Sequence, residues 1–428
     1  MSLNTSKKKQ NLYIVFLILL VFFVISFLTN IIGPLVPDII QGFALNLTLV
    51  AVLPFAFFIA YGVMSIPAGL LNARYKEKKV MLLAFLVAFL GALLLALVPN
   101  YLTAVISLFL IGCGMAMLQV VINPLLRTAG GEEHYAFNSV LAQLIFGAAS
   151  FVSPLVYSAM VAHLDKNDGT ANGISRLVYA LVPADLPWIS LYWLFAIVCI
   201  GMIIVIACSK FPKVILNEEE KVEAMKVHIQ LLRKPIVLLF FLGIFCYVGT
   251  EQGVANWISQ FLYTYHQYDP QTAGAKAVAY FWGLMTAGGI LGLVLLKLVD
   301  SRTVLVIFSF LALVCFTLGL FATNATLAFW AFPLVGFFAS VMYPIIFSLA
   351  LNSLEKNQGA FAGILLTGVI GGAIFPLITG WLGDHIGLRA GMFVNYLTMG
   401  YILGIGLWAK PIISNKLVKK RSRSKTEK

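Results

Sequence analysis

Apolar runs of membrane-spanning length recur along the chain, separated by short polar breaks. After a polar start with Lys7, Lys8 and Lys9, a first run covers Leu12 to about Ile32. Others follow at roughly 45–71, 79–98, 101–126, 136–162 and 186–208. Beyond a polar interval come 235–263, 273–297, 303–322, 325–351, 358–383 and 389–409. About 20 apolar residues cross the hydrocarbon core as a helix, so the pattern predicts twelve transmembrane helices in two groups of six. The breaks, such as ALVPNYL, ATNAT and DKNDGTANG, carry turn chemistry. The first run lacks a small-residue cleavage site and is too long for a signal-peptide core, so it reads as a retained span.

The two groups also read as copies. An offset of 224 residues pairs Gly112 with Gly336, Ala136-Phe137 with Ala360-Phe361, Leu141 with Leu365 and Gly147 with Gly371. This predicts an all-α integral membrane protein of two pseudo-symmetric six-helix bundles, with a binding site between them near mid-membrane. The expected divisions are 1–209 and 235–410 for the bundles, 210–234 for a linker and 411–428 for a basic tail. In the linker, Asn217 precedes Glu218, Glu219 and Glu220, and Met225, Ile229 and Leu232 recur at helical spacing. A capping side chain, first-turn acids and that stripe predict a short amphipathic helix on the membrane interface. A solvated linker fits the same residues.

Composition agrees with the pattern: 61% of residues are hydrophobic and 11% charged, outside the soluble range. The formal net charge of +12 bears on topology rather than class. Of the 29 Lys and Arg residues, 25 fall in the termini, the linker and the loops of one side, and four (Lys166, Arg176, Lys276, Arg389) on the other. Basic residues mark the cytoplasmic side, so both termini are expected there, and no nucleic-acid partner is implied. The five cysteines lie in apolar runs without CxxC spacing, which indicates neither disulfides nor a thiolate metal site. There is no GxxxxGK[ST] stretch, no HExxH and no nucleophile–base pair at depth. An enzyme, a metal site and a cofactor are therefore not expected.

One acid stands apart. Glu251 falls in the middle of the 235–263 run, where a carboxylate costs several kcal/mol, on the order of 3, unless paired, neutralised or facing water. Gln252, Asn256 and Gln260 follow at steps of four, forming one polar stripe on a helix. A helix facing only lipid would not carry it, so a cavity-lining role is expected, with structural hydrogen bonding as the alternative for Glu251.

Several stretches then become specific. FCYVGTEQGVANW around Glu251, ASVMYPIIFSLAL, GGAIFPLITGWLGDHIG, PAGLL and INPLL resemble the fucose-permease-like sugar:cation symporter branch of the major facilitator superfamily. The resemblance covers nearly the whole chain. Two departures stand beside it. The superfamily loop G-x-x-x-D-R-x-G-R-R/K reads GLLNARYKEKK here, with Ala73 in place of the acid and Lys76 in place of the second glycine. The acids that fucose permease carries in helices one and four align with Gly33 and Gln119.

The resemblance implies a secondary transporter importing a monosaccharide, fucose-, glucose- or galactose-like, with a coupling cation, H+ or Na+, by alternating access. Glu251 is then the candidate coupling residue. Gln119, Asn123 and Gln143 offer amides to sugar hydroxyls, although interhelical hydrogen bonding serves such amides equally well. Asn30, Gln252 and Asn256 are further polar candidates, and Tyr247, Trp257 and Tyr280 are aromatic ones, for which packing is the competing role. Asp384 and His385 read as a loop cap. The expected setting is a bacterial inner membrane, with the lipid bilayer as partner and a monomer as the assembly. An exporter of amphipathic compounds and a non-transporting receptor are the alternatives.

Overall fold

The computed structural model describes residues 11–131, 134–165, 181–183, 185–211, 230–354 and 357–412. The expected linker helix after Asn217, the basic tail and the Arg127 and Ala73 side chains lie outside what is described. Twelve apolar helical spans occupy the described residues: Leu12–Phe43, Leu47–Asn72, Glu77–Leu97, Tyr101–Gly130, Phe137–Ala162, Pro187–Cys208, Pro235–Ala255, Pro270–Leu298, Ser301–Phe321, Ala325–Leu351, Ala360–Ile386 and Leu388–Trp408. They are named below as spans one to twelve. No strand occurs among the described residues. The cysteines are all free.

Span one is longer than its apolar run. It consists of Leu12–Thr29 and Ile32–Phe43, interrupted at Asn30 and Ile31. The first run is expected to end at about Ile32, and the stretch GPLVPDII just beyond carries two prolines. Pro34 nevertheless falls in the first turn of the second piece, where a missing N–H is tolerated. Only Pro37 removes an internal bond. Span seven breaks at comparable depth: Pro235–Ala255 is followed after Asn256 and Trp257 by Ile258–His266. Span eleven is irregular at the 3-10 turn Gly368–Ile370 and continues as α-helix through Pro376.

The 224-residue repeat is physical. Span four crosses span two at Gly112, where a Cβ would strike the Phe57 carbonyl. Span ten crosses span eight at Gly336, where it would strike the Phe281 carbonyl. Both partners of each contact obey the same offset. Likewise, Lys78 donates to the carbonyls of Ala207 (2.7 Å) and Ser209 (2.9 Å) at the end of span six. Arg302, 224 positions later in the sequence, donates to those of Gly406 (3.3 Å) and Leu407 (3.0 Å) at the end of span twelve. A cation satisfies the orphan carbonyls of a helix C-terminus and the negative end of its dipole. Without a hydrophobic drive between helices in lipid, close backbone approach at small residues holds each bundle together.

Residues 11 and 412 lie on one face of the molecule, the terminal face; the turns after spans one, seven and eleven lie on the opposite face. The halves pack through spans two and eleven, five and eight, and the outer pieces of one and seven. The side-chain hydrogen bonds that cross between the halves among the described residues all lie at the opposite face. Asp384 accepts from the Leu47 and Thr48 backbone and from the Thr48 hydroxyl. Gln271 donates to Asp38. At the opposite face the halves are thus joined by hydrogen bonds as well as by helix packing.

Candidate functional site

Glu251 sits one turn before the break in span seven and is partly exposed. The Tyr247 hydroxyl, one helical turn earlier and buried, donates to its Oε1 at 3.1 Å. The Tyr247 ring in turn packs on Tyr343 of span ten, with centroids 5.6 Å apart. Span ten is itself broken at Ser340 and Val341, directly before the helix that carries Tyr343. A carboxylate with one tyrosine donor and partial access to water can gain and lose a proton, and it can accept from a hydroxyl of a bound solute.

In the first half, Gln119 is half-buried, and Asn123 and Gln143 are exposed. Asn123 turns its Nδ2 back to the Gln119 carbonyl at 3.1 Å, which leaves its amide oxygen free to accept. Exposed amides within spans are costly against lipid, and these lie on spans four and five.

The other expected residues are placed differently. Gln252, Asn256 and Gln260 are buried, so the stripe packs between helices in this state rather than lining open space. The Gln252 side chain fills the room left by Gly372 of span eleven, 3.1 Å from where a Cβ would stand. Asn256 Nδ2, Gln260 Oε1 and Trp257 Nε1 are buried without a protein partner. Trp257, at 1% exposure, presents no face to a solute here. Asn30 is buried and donates to Ser150 Oγ at 2.8 Å, joining spans one and five. Tyr280 stacks on Trp330, centroids 5.4 Å apart and nearly parallel. Together they border an apolar cleft of about 360 Å³ with Gly147, Phe151, Gly283 and Thr286.

The sequence pattern missed a buried acid in span one. Asp38, at 7% exposure, lies in the outer piece of span one and accepts from the Tyr157 hydroxyl of span five and from Gln271 of span eight. Asp38 lies in PDII, past the Ile32 end of the first apolar run. Asp384 caps span two, a helix of the other half, rather than its own loop.

The chain matches the profile of the Major Facilitator Superfamily over residues 18–369 and 240–427. It belongs to that family. Within the superfamily, it is 31% identical over 413 residues to a glucose/galactose transporter of Brucella abortus, covering 94% of this chain and 96% of that protein. It is 25% identical over 386 residues to the L-fucose-proton symporter of Escherichia coli, covering 86% of each. The structure of a bacterial homolog of the lysosomal transporter Spinster, inward-facing and occupied, superposes with a TM-score of 0.79. That superposition has 14% identity and covers 94% of this chain and 97% of that one.

Both departures from the superfamily pattern have structural counterparts. Lys76 adopts φ 68° and ψ 163° between spans two and three, a region natural to the glycine of the superfamily loop. Gly33 abuts the break in span seven: a Cβ there would lie 2.5 Å from the Ala255 carbonyl oxygen and 3.3 Å from Asn256 Cα. In this facilitator, position 33 has no room for an acidic side chain.

Proposed function

We propose that the chain imports a monosaccharide of the glucose, galactose or fucose type in symport with a cation, taken to be a proton, by alternating access. The observation that carries this reading is Glu251. It is a partly exposed carboxylate at mid-span held by Tyr247, in a chain similar along nearly its whole length to a glucose/galactose transporter. Gln119, Asn123 and Gln143 are the amides assigned to sugar hydroxyls, and their uncharged character suits a neutral substrate. Protonation of Glu251 and occupation of the sugar site together would favour the exchange between the two access states.

The 25-to-4 distribution of Lys and Arg between the two sides supports a plasma-membrane protein with both termini in the cytoplasm. The terminal face is then cytoplasmic, and the state described, closed at the opposite face, is inward-facing. A monomer with residues 210–234 as its inter-bundle linker completes the reading. The apolar cleft at Tyr280 and Trp330 is the observation that favours the alternative, an exporter of amphipathic compounds.

Uptake of labelled glucose, galactose, fucose, mannose and N-acetylglucosamine into transport-deficient cells tests it, with wild type beside Glu251→Gln. Accumulation of one sugar should be abolished by a protonophore and reduced to equilibration by Glu251→Gln. Loss only on removing sodium moves the coupling to a sodium ion. Absence of any sugar entry overturns the substrate assignment, and outward concentrative flux of an amphipathic dye selects the exporter.

A further inference from the structure

Glu251 and Asp38 are both carboxylates within spans, and the proposed function uses only Glu251. The other, Asp38, is almost wholly buried at the closed opposite face. Its facing groups are few. Tyr157 of span five donates to Oδ2. Gln271, at the start of span eight in the other half, lies 3.4 Å from both carboxylate oxygens. Asp269, beside Gln271, adds a like charge while it caps the Gln271 and Thr272 backbone. Span seven packs on the same segment, and its one ionisable base, His266, neighbours Arg389 rather than Asp38. The Thr48 side of span two is engaged with Asp384. No cation faces Asp38 among the described residues.

A carboxylate enclosed without a counterion is strongly disfavoured as the anion. As the neutral acid it costs little, provided its O–H and C=O are paired. Tyr157 supplies a donor, and the Gln271 amide carries both a donor and an acceptor, so it serves a protonated partner as well as an ionised one. Gln271 comes from the other half, so parting of the halves at this face withdraws it and admits water to Asp38.

We propose that Asp38 is a proton-operated latch of the opposite face, a positioning residue for the transport cycle. Closure requires Asp38 to take a proton from the water on that face, and opening returns the proton to the same side. The latch therefore sets the pH dependence of gate closure without adding to the protons carried across. It rests on the alternating-access reading of the function but involves neither sugar nor Glu251.

The test is a distance measurement between spin labels at Gln41→Cys and Lys276→Cys, both exposed, in the full chain with Cys208→Ser. The protein is held in lipid nanodiscs without sugar across about pH 5 to 7, above the ordinary carboxylate range. The wild-type closed population should rise as pH falls, by up to about tenfold per pH unit for one linked proton. Asp38→Asn, a permanent neutral mimic, should stay closed with no pH response; Glu251→Gln and Tyr157→Phe should keep the response. A wild-type-like titration in Asp38→Asn, or loss of response in Glu251→Gln alone, overturns the latch. If Asp38→Asn does not fold, Gln271→Leu decides: it leaves Asp38 without its partner from the other half and should shift the titration, whereas an unmoved titration overturns the proposal. Failure of the sugar assignment leaves this measurement intact, because it reads the gate alone.

Discussion

Asp384, at the end of span eleven, accepts a hydrogen bond from the backbone N–H of Thr48, at the start of span two, at 2.8 Å. It also accepts one from Leu47 at 2.9 Å. Asn46 takes the Leu49 N–H of the same turn at 2.8 Å. The helix start of one half is thus capped jointly by its own residue and by a carboxylate of the other half.

That shared cap predicts a gate variant. Hydrogen bonds to a charged acceptor contribute about 1.5–3 kcal/mol each when geometry is good, less where exposed, and this cap exists only while the opposite face is closed. Asp384→Ala should therefore favour opening of that face by roughly tenfold, and Asp384→Asn by less. The inter-half label distance described above should lengthen in that order. An unchanged distance in Asp384→Ala would make the contact incidental.

Tyr247→Phe isolates the tyrosine donor to Glu251. The donated hydrogen bond favours the ionised carboxylate, so its loss should move the pH profile of proton-driven uptake toward alkaline pH without abolishing accumulation. Initial rates measured against pH decide this, and a shift toward acid contradicts the pairing.

Gly33 leaves no room for an acidic side chain. Gly33→Ala places a Cβ against the Ala255 carbonyl oxygen at 2.5 Å, and overpacking of this kind costs about 1–3 kcal/mol. Gly33→Asp should lower the thermal midpoint further and gain no steeper proton dependence. A stable Gly33→Asp variant with stronger coupling would show that the span-one and span-seven contact yields.

Lys76 holds a backbone conformation (φ 68°, ψ 163°) that costs a non-glycine residue about 1–3 kcal/mol. Lys76→Gly should raise the thermal midpoint in detergent, and Lys76→Ala should not. Equal midpoints in the two variants would mean the turn relaxes.

The sequence by itself determined the class, the twelve spans and the twofold internal repeat, because each rests on local quantities. An apolar run must reach across the hydrocarbon core, and a glycine must lie wherever two backbones meet. Gly112 and Gly336 are legible in this way, and their partners Phe57 and Phe281 keep the same spacing. Glu251 was legible for the same reason: a charge in a long apolar run has few tolerable surroundings. Tertiary structure decided what depends on the other half of the molecule. It extended span one through Pro34 and Pro37, which enclosed Asp38, and it carried Asp384 across the halves to cap span two. It also buried Gln252, Asn256 and Trp257 between helices while leaving Asn123 and Gln143 exposed. Helical spacing fixes which residues share a stripe, but what that stripe faces is set by how two bundles lean on each other, and that packing is non-local.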